Sequence, residues 1–450
     1  MIEILSICIH IIVITIFCYT PSYLTLFFTQ NKKIDIIQHL EIGIVLNIFL
    51  LLILSFILRE NSFFIFFILL FIFSLNLFFC IKDFYKSKSI RSIKNLRNYL
   101  KPELLLLFFL VFVLSVDLSN NLKLGWDGQN YWLVKKLIFT NNGDIFDLKF
   151  TPRDDYPYLG SFLWFFYSEI SILKYEYFGR IFYIYLFLIA VLSTSKIAKV
   201  GFFEYMMLSL VIVFLIYESH LFSGYQEIIN FSLLVILINN LYRSFLKDSQ
   251  QIKKNKINNN YYLIFLIMNI LIWIKSESSV LIMIFLLSFL MIKEIKINIK
   301  VLFFVIFGSF LISKYYLFDY MGLAHEIQKG NYEFFKIEDF FKFVNFERIA
   351  LISKYILYGF FDIIIYPVSL LLIFIIFKFD KKSNFNIFLL FNLLFCSGFL
   401  YSVFLLTSFP LEWHLKTALN RIMFQTSGFF LITLPLFYNF LLKKKIFKEF

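Results

Sequence analysis

The chain reads as an all-α, polytopic transmembrane protein. Two observations carry this: 60% of its 450 residues are hydrophobic and only 16% are charged. A soluble protein of that length could not hide so much apolar surface, so the bilayer must be the solvent for most of it. A third observation is the placement of the charges. Lys and Arg collect in short loops between apolar runs, as cytoplasmic loops do, so the net charge of +13 does not point to nucleic acid.

Apolar runs long enough to span, or nearly so, occur at 4–28, 40–58, 62–81, 103–118, 157–173, 181–195, 202–218, 227–243, 261–274, 278–292, 301–318, 357–377, 386–407 and 422–441. A span needs roughly 20 residues at a rise of about 1.5 Å each. The reading is therefore about 13 spans with helical outer loops, because one run must fail to cross. The N-terminus, "MIEILSICIH", has no basic stretch or small-residue cleavage site and reads as an uncleaved first helix. The 65 Phe are expected mainly to face lipid. Cys8, Cys18, Cys80 and Cys396 lie in apolar runs without metal-like spacing, which argues against a disulfide framework or zinc site.

Orientation comes from the basic segments 82–101, 243–256, 293–300, 378–382 and 443–448, all expected to be cytoplasmic. Loops 119–156 and 319–350 are then outside, together with 218–226, 274–277 and 408–421. Three runs separate the outside loops 119–156 and 218–226, where an even number of crossings is required. One of 157–173, 181–195 and 202–218 must not cross. In the second large loop, Phe340, Phe341, Val344 and Ile349 recur at helical spacing, which suits either a helix lying along the membrane surface or plain loop packing. The chain reads as one membrane domain with two larger outside loops.

Charged residues fall at the outer ends of the runs, where ionisable groups are costly enough to mark function but also common at interfaces. In "GWDGQNYWLVKK" (125–136), Asp127 either caps a helix over 128–139 or serves as a base. Asp127, Tyr131 and Lys135 fall at i, i+4 and i+8, on one face of such a helix. Asp154 and Asp155 precede Tyr156 and Pro157. Asp155 either caps the next helix or binds a sugar hydroxyl or divalent ion. "YESHLFSGYQEIINF" (217–231) offers Glu218, His220, Tyr225 and Glu227, the last at a favourable helix N-terminus. In "WIKSESS" (273–279), Lys275 and Glu277 form a hairpin tip or put a cation within reach of a lipid phosphate. Arg421, in "TALNRIMFQTSGFF" (417–430), has the planar fork that suits phosphate oxygens. No GxxxxGK[ST], GxGxxG or HExxH stretch is present, so nucleotide-driven chemistry has no support.

Taken in order, "WDGQNYWLVKK", "DDYPYLGSFLWFF", "GYQEIINFSLL", "WIKSESSVLIMIF" and "LNRIMFQTSGFFLITLP" resemble the GT-C superfamily of polytopic glycosyltransferases, over about residues 103–441. The resemblance is in particular to bacterial members similar to protein mannosyltransferases and lipopolysaccharide-modifying transferases. It implies that 1–101 is an added N-terminal block of helices with a basic loop and 102–450 the catalytic membrane region. The resemblance implies transfer of a sugar from a polyprenyl-phosphate donor to a glycan, lipid or protein acceptor. It places this at the outer face of a bacterial inner membrane, with the C-terminus cytoplasmic. It implies Asp127 as catalytic base, Lys135, Lys275 and Arg421 toward the donor phosphate, and Asp154, Asp155, Tyr156 and Glu227 toward substrate. A divalent cation is left open as a cofactor. Glu227 stands where Asp is more usual, and Ser278 where Gly is. The rival expectations are a transporter or flippase of lipid-linked glycans and a structural subunit of an envelope complex.

Overall fold

A computed structural model describes residues 2–20, 22–29, 35–57, 71–79, 81–82, 101–217, 221–248, 259–293, 295–324, 345–379, 383–407 and 409–443. Glu218, His220, Phe340, Phe341, Val344, Cys80 and most of the basic loops lie outside these residues. Among the described residues the chain is helical throughout, with no strand.

The first apolar run divides in two, into α1 (Ile2–Phe17) and α2 (Ser22–Thr29), on either side of Pro21. Proline lacks the N–H that would carry a helix through. Next along the chain come α3 (Ile36–Ile57) and α4 (Pro102–Asn120), a short α5 (Leu133–Thr140), α6 (Leu159–Glu169), α7 (Glu176–Ser195), α8 (Phe202–Ile216) and α9 (Glu227–Asp248). The remainder are α10 (Asn260–Ile274), α11 (Glu277–Leu290), α12 (Ile297–Met321), α13 (Phe346–Asp362), α14 (Ile365–Phe379), α15 (Asn384–Leu405), α16 (Leu411–Ser427) and α17 (Thr433–Lys443).

Six of these helices (α3, α4, α7, α9, α12 and α15) are long and apolar enough to cross a membrane. The bent pair α13 and α14, turned by 98° at its break, would make a seventh. Five apolar helices of 10–17 residues accompany them. The molecule is thus a multi-pass membrane protein.

The bundle is organised around α7, in which every residue from Tyr177 to Ser195 is buried. A helix that is apolar on all sides belongs where protein surrounds it. It packs against α1, α3, α4, α6, α8 and α9. The phenylalanines accordingly go both ways. Phe178, Phe182 and Phe187 lie in this core, whereas Phe214 is 80% exposed on the lipid side of α8. The expectation that Phe mainly faces lipid is therefore corrected. Between helices, close packing is available to Phe as readily as contact with lipid.

The odd crossing is α6. Its 11 residues rise only about 16 Å, too short to span. Midway along it, the Trp164 indole donates to the carbonyl of Glu176 at the start of α7 at 3.0 Å, so α6 begins and ends near one end of the bundle. Arg180, in the first turns of α7, binds the carbonyls of Phe222 at 2.7 Å and Leu122 at 3.4 Å. The start of α7 and the loop after α8 therefore share that end, and α7 with α8 forms a return pair. At the opposite end, Asn439 of α17 reaches the carbonyl of Ile197 at 3.0 Å.

Candidate functional site

The helix that carries Asp127 runs from Trp126 to Thr140 and contains a π turn at Gly128–Trp132. Asp127 lies inside it in right-handed conformation, and its carboxylate makes no capping bond. The capping alternative is thereby removed. A π turn inserts an extra residue and rotates the rest of the helix relative to its start. The expected single face of Asp127, Tyr131 and Lys135 is accordingly broken. Lys135 is fully buried, donating to the carbonyl of Tyr156 and lying 5.9 Å from the Trp132 ring.

Two glycines set the position of this helix. A Cβ at Gly128 would stand 2.5 Å from the carbonyl oxygen of Ser223, and one at Gly125 would stand 2.3 Å from the Tyr225 ring. Neither position has room for a side chain, so the two segments lie directly against each other. The Gly125 N–H donates to the Ser223 carbonyl at 2.9 Å.

The Asp127 carboxylate meets Arg421 of α16 at 2.6 Å. Arg421 is shared. Its Nε donates to Glu227 Oε1 at 2.7 Å and its Nη2 to the same oxygen at 2.5 Å. Lys275, in the break between α10 and α11, reaches that oxygen at 2.9 Å and Glu277 at 3.2 Å. The packing of α9 on both α10 and α16 explains why residues so distant in sequence meet. Glu227 begins α9, Lys275 ends α10, and Arg421 lies on the neighbouring α16. The Tyr225 ring supports the Arg421 guanidinium at 4.5 Å, a cation–π contact.

Burial opposes the Lys275 charge, but Glu227 and then Glu277 more than offset it, holding its ammonium above the ordinary lysine range. Arg421 is raised in the same way by Glu227 and Asp127 against its own burial. Burial, and to a lesser degree Asp127, pushes the Tyr131 phenol above its usual range, so Tyr131 stays a neutral donor. The cluster opens at one side: the Asp127 and Arg421 side chains are 16% and 17% exposed, against 0% for Glu227.

One turn deeper lies a neutral copy of the same triangle. The Ser278 hydroxyl donates to Asn230 Oδ1 at 2.9 Å, and the Asn230 amide donates to Gln425 Oε1 at 2.7 Å. These residues stand one helical turn beyond Lys275, Glu227 and Arg421, so the ionic layer rests on a polar floor.

The acidic pair has another role than capping. Asp155 is buried and held bidentately by Arg153 at 2.9 and 2.7 Å, and α6 begins only at Leu159, beyond Pro157. Arg153 also lies over the Tyr156 ring at 3.9 Å. Asp154 accepts from the backbone N–H of Ala324 at 3.3 Å, tying this loop to the end of α12. Asp127, Glu227, Lys275 and Arg421 thus come together, while the contacts of Lys135, Asp154, Asp155 and Tyr156 build the adjoining wall. Sequence reasoning singled out Tyr225 but missed Arg153 and the Asn230–Gln425–Ser278 floor. Only Arg153, two residues before Asp155, carried a local signal. Among the described residues, no three His, Cys, Asp or Glu side chains are grouped to hold a metal ion.

Fold and site define a class: a multi-pass α-helical membrane protein with an ionic cluster at one end of its bundle. Compared with models of protein families, curated proteins and solved structures, the chain matches none.

Proposed function

We propose that the chain is a glycosyltransferase of GT-C type, moving a sugar from a polyprenyl-phosphate donor to an acceptor hydroxyl at the Asp127 end of the bundle. The observation that carries this reading is the meeting of Asp127, Glu227, Lys275 and Arg421, from four distant segments, in one cluster that opens at Asp127. The end that holds it is the outer face of a bacterial inner membrane.

The acceptor hydroxyl attacks the anomeric carbon and its proton passes to Asp127. The bond from that carbon to the phosphate oxygen breaks, and the lipid phosphate leaves with one more negative charge than it carried in the donor. Arg421 and Lys275 stabilise that added charge, which counts most in the transition state. Without donor, Arg421 is bound to the carboxylate of Asp127. An arriving phosphate draws the guanidinium away and leaves Asp127 able to take a proton. Glu227 keeps both cations in place and does not touch the sugar.

Purified protein in nanodiscs, given polyprenyl-phosphate sugars and an acceptor, should release lipid phosphate with formation of a glycoside. Near-normal transfer by Asp127→Asn would overturn the base assignment. The 98° break between α13 and α14 favours the second reading, a flippase, because broken helices recur in transporters. Movement of a labelled lipid-linked sugar across the bilayer, with no covalent product, would establish that reading instead.

A further inference from the structure

A cavity of about 430 Å³ is lined in part by Gly125 and Ser223, whose backbones are hydrogen-bonded at 2.9 Å. We propose that it is a binding site for an uncharged saccharide, and that under the transferase reading it holds the acceptor. Its volume falls within the roughly 300–1,000 Å³ of small-molecule sites.

The lining supplies what a sugar needs. Asp117, Asn121, Lys123 and Ser223 offer acceptors and donors for hydroxyl groups, and Tyr217 and Phe222 offer aromatic surface for the C–H face of a ring. The two aromatic rings stand 6.0 Å apart, edge to face. The Tyr217 hydroxyl donates to Asp117 Oδ2, which fixes the carboxylate's orientation. One carboxylate and one ammonium leave the lining without net charge, which disfavours a nucleotide or a free phosphate. Asn121 and Lys123 are exposed, so the mouth faces water at the end of the bundle.

The site is held on a rigid frame. Arg180, 1% exposed and paired with Glu176 at 2.8 Å, holds the carbonyls of Phe222 and Leu122, one from each wall. Gly125 lines the cavity, and Asp127 comes two residues later, at most about 7 Å of extended chain. A sugar unit seated here with its neighbour over the Gly125 rim would bring a hydroxyl toward Asp127.

The test is titration of the full-length protein in nanodiscs with glucose, galactose, mannose and their disaccharides, read by saturation-transfer NMR and calorimetry. Saturable binding is expected. Asp117→Asn, which is isosteric, should weaken it about tenfold. Leu221→Trp, which fills the cavity, should abolish it, with retained folding checked by circular dichroism. The saccharide assignment falls if no neutral sugar saturates the protein, if both variants bind like the parent, or if inorganic phosphate competes more strongly than sugar. The two readings separate cleanly. Saccharide binding lost in the variants, without transfer from any donor, keeps the site and sinks the transferase. Transfer with an unchanged acceptor KM in Leu221→Trp keeps the transferase and sinks the acceptor site.

Discussion

Two buried ionic clusters stand at opposite ends of α9, and they are built differently. At one end is Glu227 with Arg421, Lys275 and Asp127. At the other, about 24 Å along the helix, is Arg243. Arg243 Nη1 holds both oxygens of Glu41 from α3, at 2.8 and 2.9 Å, while Asn240 donates to Glu41 Oε1 at 2.5 Å and Ser193 donates to Oε2. Arg243 Nη2 also binds the Ser193 hydroxyl at 2.8 Å. The Glu41 group is one charge pair whose carboxylate is fully enclosed by donors from α7 and α9. The Asp127 group has three carboxylates against two cations, and two of those carboxylates, Asp127 and Glu277, reach solvent. The first is a closed fastening of three helices. The second is a charged site with room for a visitor.

The contrast can be broken most forcefully at Glu41. Glu41→Ala removes a fully buried carboxylate from a partly exposed Arg243 and from the Asn240 and Ser193 donors, and should cost about 3 kcal/mol, read as a lower unfolding midpoint in detergent. Replacing both partners, Glu41→Met with Arg243→Leu, should recover most of that loss. If the double variant is no more stable than Glu41→Ala, the pair is more than a fastening.

Asp127→Asn should do the reverse. Sugar transfer should fall about 10²–10⁴-fold. Stability should move by no more than about 1 kcal/mol, because the pair with Arg421 is partly exposed and screened. A large stability loss would class Asp127 with Glu41 as structural.

Smaller effects sharpen the same distinction. The Lys275 ammonium is held above its ordinary value, so its contribution is fully present below the unfolded value of 10.5 and is lost as pH rises through the higher folded value. Stability attributable to the Asp127 end should therefore be flat from pH 7 to about 10 and fall only in stronger alkali, as pH-dependent melts with and without Lys275→Met would show. The least change is expected from salt. Raising it from about 0.1 to 1 M should loosen the Asp127–Arg421 pair, seen as a shift in Trp126 fluorescence, and leave the melting of Glu41→Ala relative to the parent unchanged.

How much was legible in the sequence differs between elements. The apolar runs, and the placement of Asp127, Glu227, Lys275 and Arg421 at one end of the bundle, were readable from helix-end charges, whereas Glu227's position between the two cations was not. That 157–173 holds a helix too short to cross was not readable, because apolar residues mark burial in protein and in lipid alike. The fates of Lys135 and Asp155 also escaped, since a π turn and a partner two residues away decide them. The Glu41–Arg243 fastening went unremarked, although a carboxylate near the start of an apolar run and an arginine at the end of another are themselves a signal. Their pairing is tertiary and has no local trace.

The position of Arg421 has a consequence for how the protein is made. Of the cluster's five charged residues it is the last in the chain, after Asp127, Glu227, Lys275 and Glu277. While a ribosome is still producing α16, Asp127 lacks this partner, and Glu227 has Lys275 as its cation. The cluster then carries two uncompensated negative charges instead of one. Until then the fully buried Glu227 has one of its two cations and the partly exposed Asp127 has none, so this end of the bundle is held more weakly. Arg421 is therefore the last charge delivered to the cluster, and the docking of α16 completes it.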